Sequence, residues 1–106
     1  MRLLNKLETA LKASGIPFAH FAWDKAPKGD YGVWGEDSAQ HFFADGRLEM
    51  QTTQGTIDLF TRNPSGNGKD AIQSILNDLG VAWHLNSVQY ESDTRYVHYE
   101  WVFEVV

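Results

Sequence analysis

The C-terminal segment 95–106 alternates apolar and polar residues more strictly than any other part of the chain. The apolar residues fall at every second position: Val97, Tyr99, Trp101, Phe103 and Val105. Between them lie Tyr96, His98, Glu100 and Glu104, and Val102 is the exception. Successive side chains of a strand point to opposite faces, so this segment predicts a β-strand with one buried face.

Four further strands are predicted upstream, at 16–23, 31–36, 48–62 and 81–91. The segment 48–62 alternates imperfectly, which is typical of a strand packed on both faces at one end. One predicted face carries Thr53, Gly55, Ile57, Leu59 and Thr61, and the other carries Met50, Thr52, Thr56, Asp58 and Phe60. Asp45-Gly46, just before this strand, is a strong hairpin signal, and Phe42-Phe43 precede it.

Two segments have the apolar spacing of amphipathic helices. The first, 2–13, carries Leu3, Leu4, Leu7, Ala10 and Leu11, and the second carries Ala71, Ile72, Ile75, Leu76 and Leu79. Gly15 with Pro17 ends the first helix, and Gly80 ends the second.

The predicted order is helix, three strands, helix, two strands. Two helices with matching apolar stripes can cover one face of an antiparallel sheet. We therefore predict an α+β two-layer sandwich, a mainly antiparallel sheet of about five strands with two helices packed on one face. With 106 residues, the chain fits a single domain, 1–106.

The overall charge argues against nucleic acid as a specific partner. The formal net charge is −5 and no run of lysine and arginine occurs, whereas duplex binding depends on basic patches. The absence of cysteine excludes disulfides and thiolate metal sites. The segment 1–15 resembles neither a signal peptide nor a membrane span, so we expect no membrane association.

Few residues suggest chemistry. The sequence Gly-Asn-Gly-Lys-Asp at 66–70 lacks the spacing and hydroxyl of a phosphate loop. His84, His98 and Glu100 could form a cluster on neighbouring strands, but polar pairs on a solvated face explain them equally well. We expect no enzyme activity, no catalytic residues, no cofactor and no metal.

Aromatic residues are numerous for so short a chain. Trp23, Trp34, Trp83 and Trp101 fall within or beside predicted strands. One or two belong to a core of this size, and the others, with Phe42-Phe43, are available for protein contacts. The alternative, that all four lie between sheet and helices, is equally open.

The segment from Ala19 to Leu48 has a recognisable layout. An aromatic-rich strand (18–23) is followed by a loop with Ala26-Pro27, a strand with Tyr31 to Trp34, and a Phe-Phe-Ala-Asp-Gly corner at 42–46. Over about 3–105 the chain resembles a family of small proteins of long-tailed phages and prophages. Members are described as minor capsid, tail-completion, tail-to-head joining or tail-terminator proteins.

The resemblance implies an α+β domain that assembles as a ring, usually a hexamer, at the end of the tail tube. The implied partners are other copies of the chain, the tail tube protein and the head–tail connector. The implied location is the host cytoplasm during assembly and then the virion tail. Subunit or tail contacts are expected in the loop 24–30, in the corner 41–47 and at exposed strand edges. The residues expected to make them are Trp23, Lys25, Pro27, Lys28, Trp34, Phe42, Phe43, Asp45 and Arg47.

Two other functions remain open from the residues alone. One is a small monomeric α+β ligand-binding or regulatory module, with the aromatic residues lining a groove. The other is a small hydrolase built around His84, His98 and Glu100.

Overall fold

The computed structural model of the chain describes the backbone of residues 2–44 and 47–105. It describes the side chains of residues 2–37 and 52–105. The described residues form two helices and one five-stranded sheet. In chain order these are α1 (Leu3–Lys12), β1 (Phe18–His20), β2 (Tyr31–Ala44), β3 (Arg47–Thr61), α2 (Gly68–Leu79), β4 (Ala82–Glu91) and β5 (Tyr96–Val105).

The strands lie in the order β1-β2-β3-β5-β4. β1 pairs with β2 in parallel, and the other neighbours are antiparallel. The prediction of an α+β fold with a mainly antiparallel sheet of about five strands is confirmed. β5 lies between β3 and β4, so the strand with the strictest alternation occupies a central position.

The core forms where both helices pack on one face of the sheet. From β3 and β5, the buried residues on this face are Ile57, Leu59, Tyr99, Trp101, Phe103 and Val105. The helices contribute Leu7, Leu11, Ile72 and Leu76, all without solvent exposure. The predicted division of β3 and β5 residues between two faces is therefore confirmed for the described side chains. The sheet face opposite the helices is called the open face below.

The helices end near the residues that the sequence indicates. Gly80 follows α2 in the left-handed conformation, with φ 71°, and its amide donates to the carbonyl oxygen of Asn77. Glycine adopts this conformation without the steric cost that a Cβ imposes. In the described part of the chain, neither helix combines the length and apolar character needed to cross a membrane.

β2 and β3 extend well beyond the rest of the sheet. β1 pairs only with residues 32–34 of β2, and β5 pairs only with 53–61 of β3. Among the described strands, 40–44 and 47–52 therefore pair only with each other, and this ribbon is called the arm. At ~3.4 Å per residue it is roughly 17 Å long, and the molecule measures 53 × 25 × 24 Å.

The arm also corrects a predicted boundary. The second strand was expected to end at residue 36, whereas β2 continues to Ala44. A register shift between Glu36 and Ser38 interrupts the pairing without ending it. A second register shift lies between Phe42 and Phe43, and pairing then continues to Ala44 opposite Arg47. The predicted Asp45-Gly46 hairpin turn between them lies outside the described residues.

Candidate functional site

The loop 24–30, predicted as a contact surface, leaves its lysines exposed. Lys25 and Lys28 are exposed, and Trp23 and Pro27 are half-buried. The indole nitrogen of Trp23 donates to the carbonyl oxygen of Gly32 at 2.9 Å. Trp23 therefore fixes the start of the loop to β2 while part of its ring remains accessible.

Two side chains at the same end of the sheet, Arg62 just after β3 and Tyr96 at the start of β5, hold this loop in place. The Tyr96 hydroxyl lies 3.0 Å from the carbonyl oxygen of Lys28 and 2.9 Å from that of Gly29, both within donating distance. The Arg62 guanidinium donates to the carbonyl oxygens of Lys28 and Thr94, each at 2.8 Å, and lies 4.0 Å from the centre of the Tyr96 ring. The exposed lysines are thus presented from a fixed backbone. No local sequence pattern indicates this anchoring, because it depends on residues more than 30 positions apart.

Trp34 does not belong to the surface. Its side chain is 3% exposed and packs within the core cluster on the helix-covered face. The expectation that Trp34 contacts another subunit is therefore wrong for the folded chain. Trp34 lies directly opposite Ile57 of β3 on the helix-covered face, and Trp101 is buried in the same cluster.

The remaining predicted contact residues lie at the arm. Phe42 and Phe43 occupy paired positions of β2, opposite Met50 and Leu48 respectively. Their side chains and that of Arg47 lie outside the described residues, as does Asp45 altogether. The described backbone places Phe42, Phe43 and Arg47 at the end of the arm.

An exposed strand edge, of the kind expected for subunit contact, is formed by β4 at the side of the sheet opposite β1. β4 pairs only with β5 and forms the edge of the sheet. Val88 and Tyr90 are 53% and 64% exposed. The register shift between Leu85 and Ser87 keeps Val88 and Tyr90 on the helix-covered face, opposite Tyr99 and Val97. The sequence shows that 81–91 contains apolar residues, but it does not show which of them the helices bury.

A row of stacked aromatic rings crosses the open face of the sheet from Tyr31, at the start of β2, to His98 of β5. Tyr31, Phe60 and His98 are directly paired across β2, β3 and β5. The Tyr31 and Phe60 ring centres are 4.8 Å apart, and those of Phe60 and His98 are 4.2 Å apart, in nearly parallel planes. Burial raises the pKa of Tyr31, and the neighbouring Tyr96 and Glu91 act in the same direction. This stack fixes the plane of the His98 imidazole.

The next row of the open face brings ionisable groups together. Asp58 of β3 lies directly opposite Glu100 of β5, and His98 lies two residues from Glu100 on the same face. The His98 Nε2 and Asp58 Oδ1 atoms are 2.6 Å apart. This hydrogen bond raises the pKa of His98, partial burial opposes it, and the negative charges of Asp58, Glu91 and Glu100 add to the increase.

The cluster differs from the one that the sequence suggested. His98 and Glu100 are brought together as considered, but their third member is Asp58. His84 pairs instead with Val102, further along β5. The pairing of β3 with β5 creates the cluster, and no local spacing in the sequence could indicate it.

A second histidine–carboxylate pair lies at the β1–β2 edge. His20 Nε2 is 2.5 Å from Glu36 Oε1, and the His20 ring stacks on Trp34 with 4.1 Å between ring centres. Phe21 follows with φ 69°, unusual for an aromatic residue, and its side chain is 61% exposed over Gly35. Phe21 therefore adds an exposed ring at the edge opposite β4.

The sequence matches no protein-family model and no curated protein.

Proposed function

We propose that this chain is a structural virion component of a long-tailed phage or prophage. In this proposal it is a tail terminator or head–tail joining protein that assembles into a ring and docks on the tail tube or connector. It forms in the host cytoplasm and is then part of the virion tail at the head–tail joint. The arm is the observation that carries the proposal.

A projecting two-stranded ribbon needs a partner. An isolated hairpin is marginally stable in water, because it buries too little apolar surface to offset the loss of chain entropy. The arm sequence nevertheless includes Phe42, Phe43, Leu48 and Met50. A neighbouring subunit that covers the arm would supply the missing burial.

The β4 edge is a suitable partner for the arm. Strand edges present backbone amides and carbonyls that can extend a sheet into another chain. The exposed Val88 and Tyr90 add apolar area beside that edge. Since arm and edge are different surfaces of one subunit, their pairing is head-to-tail, and such contacts produce closed rings when the rotation between subunits closes.

The loop 24–30 is suited to a different contact. Its two exposed lysines stand on an anchored backbone in a chain with a net charge of −5. The loop also carries Asp24 and Asp30, so it presents charges of both signs from a fixed backbone, and such a surface can pair with complementary charges on a partner. We assign this loop to contact with the tail tube or connector.

Engineered cysteines test the arm–edge contact, because the chain has no cysteine of its own. Gln40→Cys in the arm combined with Gln89→Cys on β4 should give a ladder of covalent oligomers on oxidation. Gln40→Cys combined with Lys12→Cys, on the exposed surface of α1, is the matched control and should give no ladder beyond dimers.

Light scattering after size-exclusion chromatography gives the independent measurement. A stable closed oligomer of the unmodified chain supports the ring. The alternative, a small ligand-binding or regulatory module, is favoured by two results together. The chain is then a strict monomer at high concentration, and the Gln40/Gln89 pair gives no ladder even when tail tube protein is added.

A further inference from the structure

The pairing of Asp58 with Glu100 places two carboxylates directly opposite each other across β3 and β5. Directly paired like charges destabilise a sheet. Among the described side chains, the ion pairs bring no lysine or arginine to either carboxylate. Another source of positive charge at this position would therefore stabilise the sheet.

We propose that Asp58, His98 and Glu100 form a binding site for a divalent transition-metal ion of the zinc class. Each residue offers one ligand atom, and the three atoms lie within 4.8 Å of one another on one face of the sheet. One imidazole nitrogen and two carboxylate oxygens form a donor set that zinc accepts, with a fourth position left for water or another ligand.

The neighbouring residues hold the three ligands in place. Phe60 stacks on the His98 ring and fixes its plane. The Asn86 side-chain amide donates to Glu100 Oε1 at 2.7 Å, which leaves the other carboxylate oxygen available. Outer groups of this kind orient metal ligands and strengthen binding.

Only small movements are needed to admit the ion. Zinc bonds of 2.0–2.2 Å in a tetrahedron place ligand atoms roughly 3.4 Å apart. The His98 and Asp58 atoms, now 2.6 Å apart, must separate slightly, while the Glu100 carboxylate moves inward. The ion then replaces the proton that His98 and Asp58 share, and it joins β3 to β5 on the open face.

Calorimetric titration of the EDTA-treated full chain with zinc chloride tests the site. We expect one ion per chain and a thermal unfolding temperature that rises with zinc concentration, since a ligand that binds only the folded state stabilises it. Magnesium should give neither effect, because it requires octahedral oxygen ligation and keeps its water. Asp58→Asn, His98→Gln and Glu100→Gln should each weaken zinc binding by at least about tenfold.

Two matched controls separate this site from surface histidines. His20→Gln removes the imidazole of a pair that has only one carboxylate, and His84→Gln removes an exposed imidazole. Both variants should bind zinc as the unmodified chain does. Loss of binding in either control, with unchanged binding in Asp58→Asn, would overturn the proposal.

NMR of the imidazole nitrogens tests the site in the unmodified chain, so the result does not depend on whether a variant folds. The proposal requires the His98 Nε2 resonance to shift on addition of one equivalent of zinc. If the His98 signal stays in place, or no zinc binds at millimolar concentration, Asp58, His98 and Glu100 are only a hydrogen-bonded charge cluster.

Discussion

Gly55 shows how closely single residues are packed in this sheet. A Cβ built on Gly55 would lie 2.4 Å from the Phe103 ring and 2.6 Å from the carbonyl oxygen of Gly35. The backbone oxygen cannot rotate away as a side chain can. We expect Gly55→Ala to lower the free energy of unfolding by about 1–3 kcal/mol, measured by urea denaturation.

Gly29→Ala is the matched control for this prediction. A Cβ at Gly29 meets nothing within 4 Å, and the residue lies in the exposed loop 24–30. Its effect should stay within about 0.5 kcal/mol. Equal losses in the two variants would show that the close approach to Phe103 and Gly35 does not limit this position.

The titration of His98 gives a pH dependence in the metal-free chain. Its pKa in the folded state is raised above 6.5, first by the hydrogen bond to Asp58. The protonated form is therefore favoured by folding. Its contribution to stability is complete below the unfolded pKa and is lost as pH rises through the folded pKa. Asp58, Glu91 and Glu100 are the charged groups that face it from β3, β4 and β5.

The measurement compares the unmodified chain with His98→Gln, both in EDTA. The stability difference between them should be larger at pH 5.5 than at pH 8.5, with the decrease centred above pH 6.5. Carrying out the same comparison with His20→Gln controls for the other histidine–carboxylate pair. A difference that grows with pH would contradict the assigned direction.

The sequence determined which residues face inward on the central strands but not which residues meet across them. Alternation in 95–106 correctly placed Trp101 and Phe103 in the core. Trp34 was misplaced because residue type alone cannot distinguish an aromatic core position from an aromatic contact position. Asp58 was missed as a neighbour of His98 because 40 residues separate them, and only the pairing of β3 with β5 brings them together.

At the level of elements, β2 was the least predictable strand. Its first part alternates weakly, and Gly32 and Gly35 lower the strand signal. The rings of Phe18 and Phe21 occupy the space where side chains at these glycines would lie. The glycines thus reflect close packing within the chain, whereas the length of the strand depends on pairing with β3 through the arm.

The part of the β4 edge in subunit contact can be tested by adding a charge to it. Tyr90→Lys places a charge on the exposed edge, and lysine on an edge strand opposes pairing with another chain. We expect the ring population to decrease in light scattering, with an unfolding temperature close to that of the unmodified chain because Tyr90 is 64% exposed.

Asn5→Lys introduces the same charge on the exposed surface of α1 and should leave assembly unchanged. Equal losses of assembly in Asn5→Lys and Tyr90→Lys would indicate a general charge effect. In that case the edge would have no specific part in subunit contact.

In the proposed ring, the surfaces that join subunits do not depend on charge, although each chain carries a net negative charge. The arm and the β4 edge would join subunits through backbone hydrogen bonds and apolar contacts, which need no net charge. The charge of −5 per chain remains on the other surfaces. A lumen with this sign repels phosphates, so DNA could pass through without binding.

DNA retention measures this property directly. The fluorescence anisotropy of labelled linear duplex DNA should not change when assembled rings are added at low salt. Low salt is the most sensitive condition, because binding through phosphate contacts is strongest there. Lys25→Glu combined with Lys28→Glu removes the exposed lysines of the anchored loop and should likewise leave DNA unbound, while weakening docking on the tail tube. Tight retention by the unmodified ring, lost as salt is added, would mean that the loop lysines face the lumen. The loop would then be a DNA contact, and docking on the tube would have to be assigned to another surface.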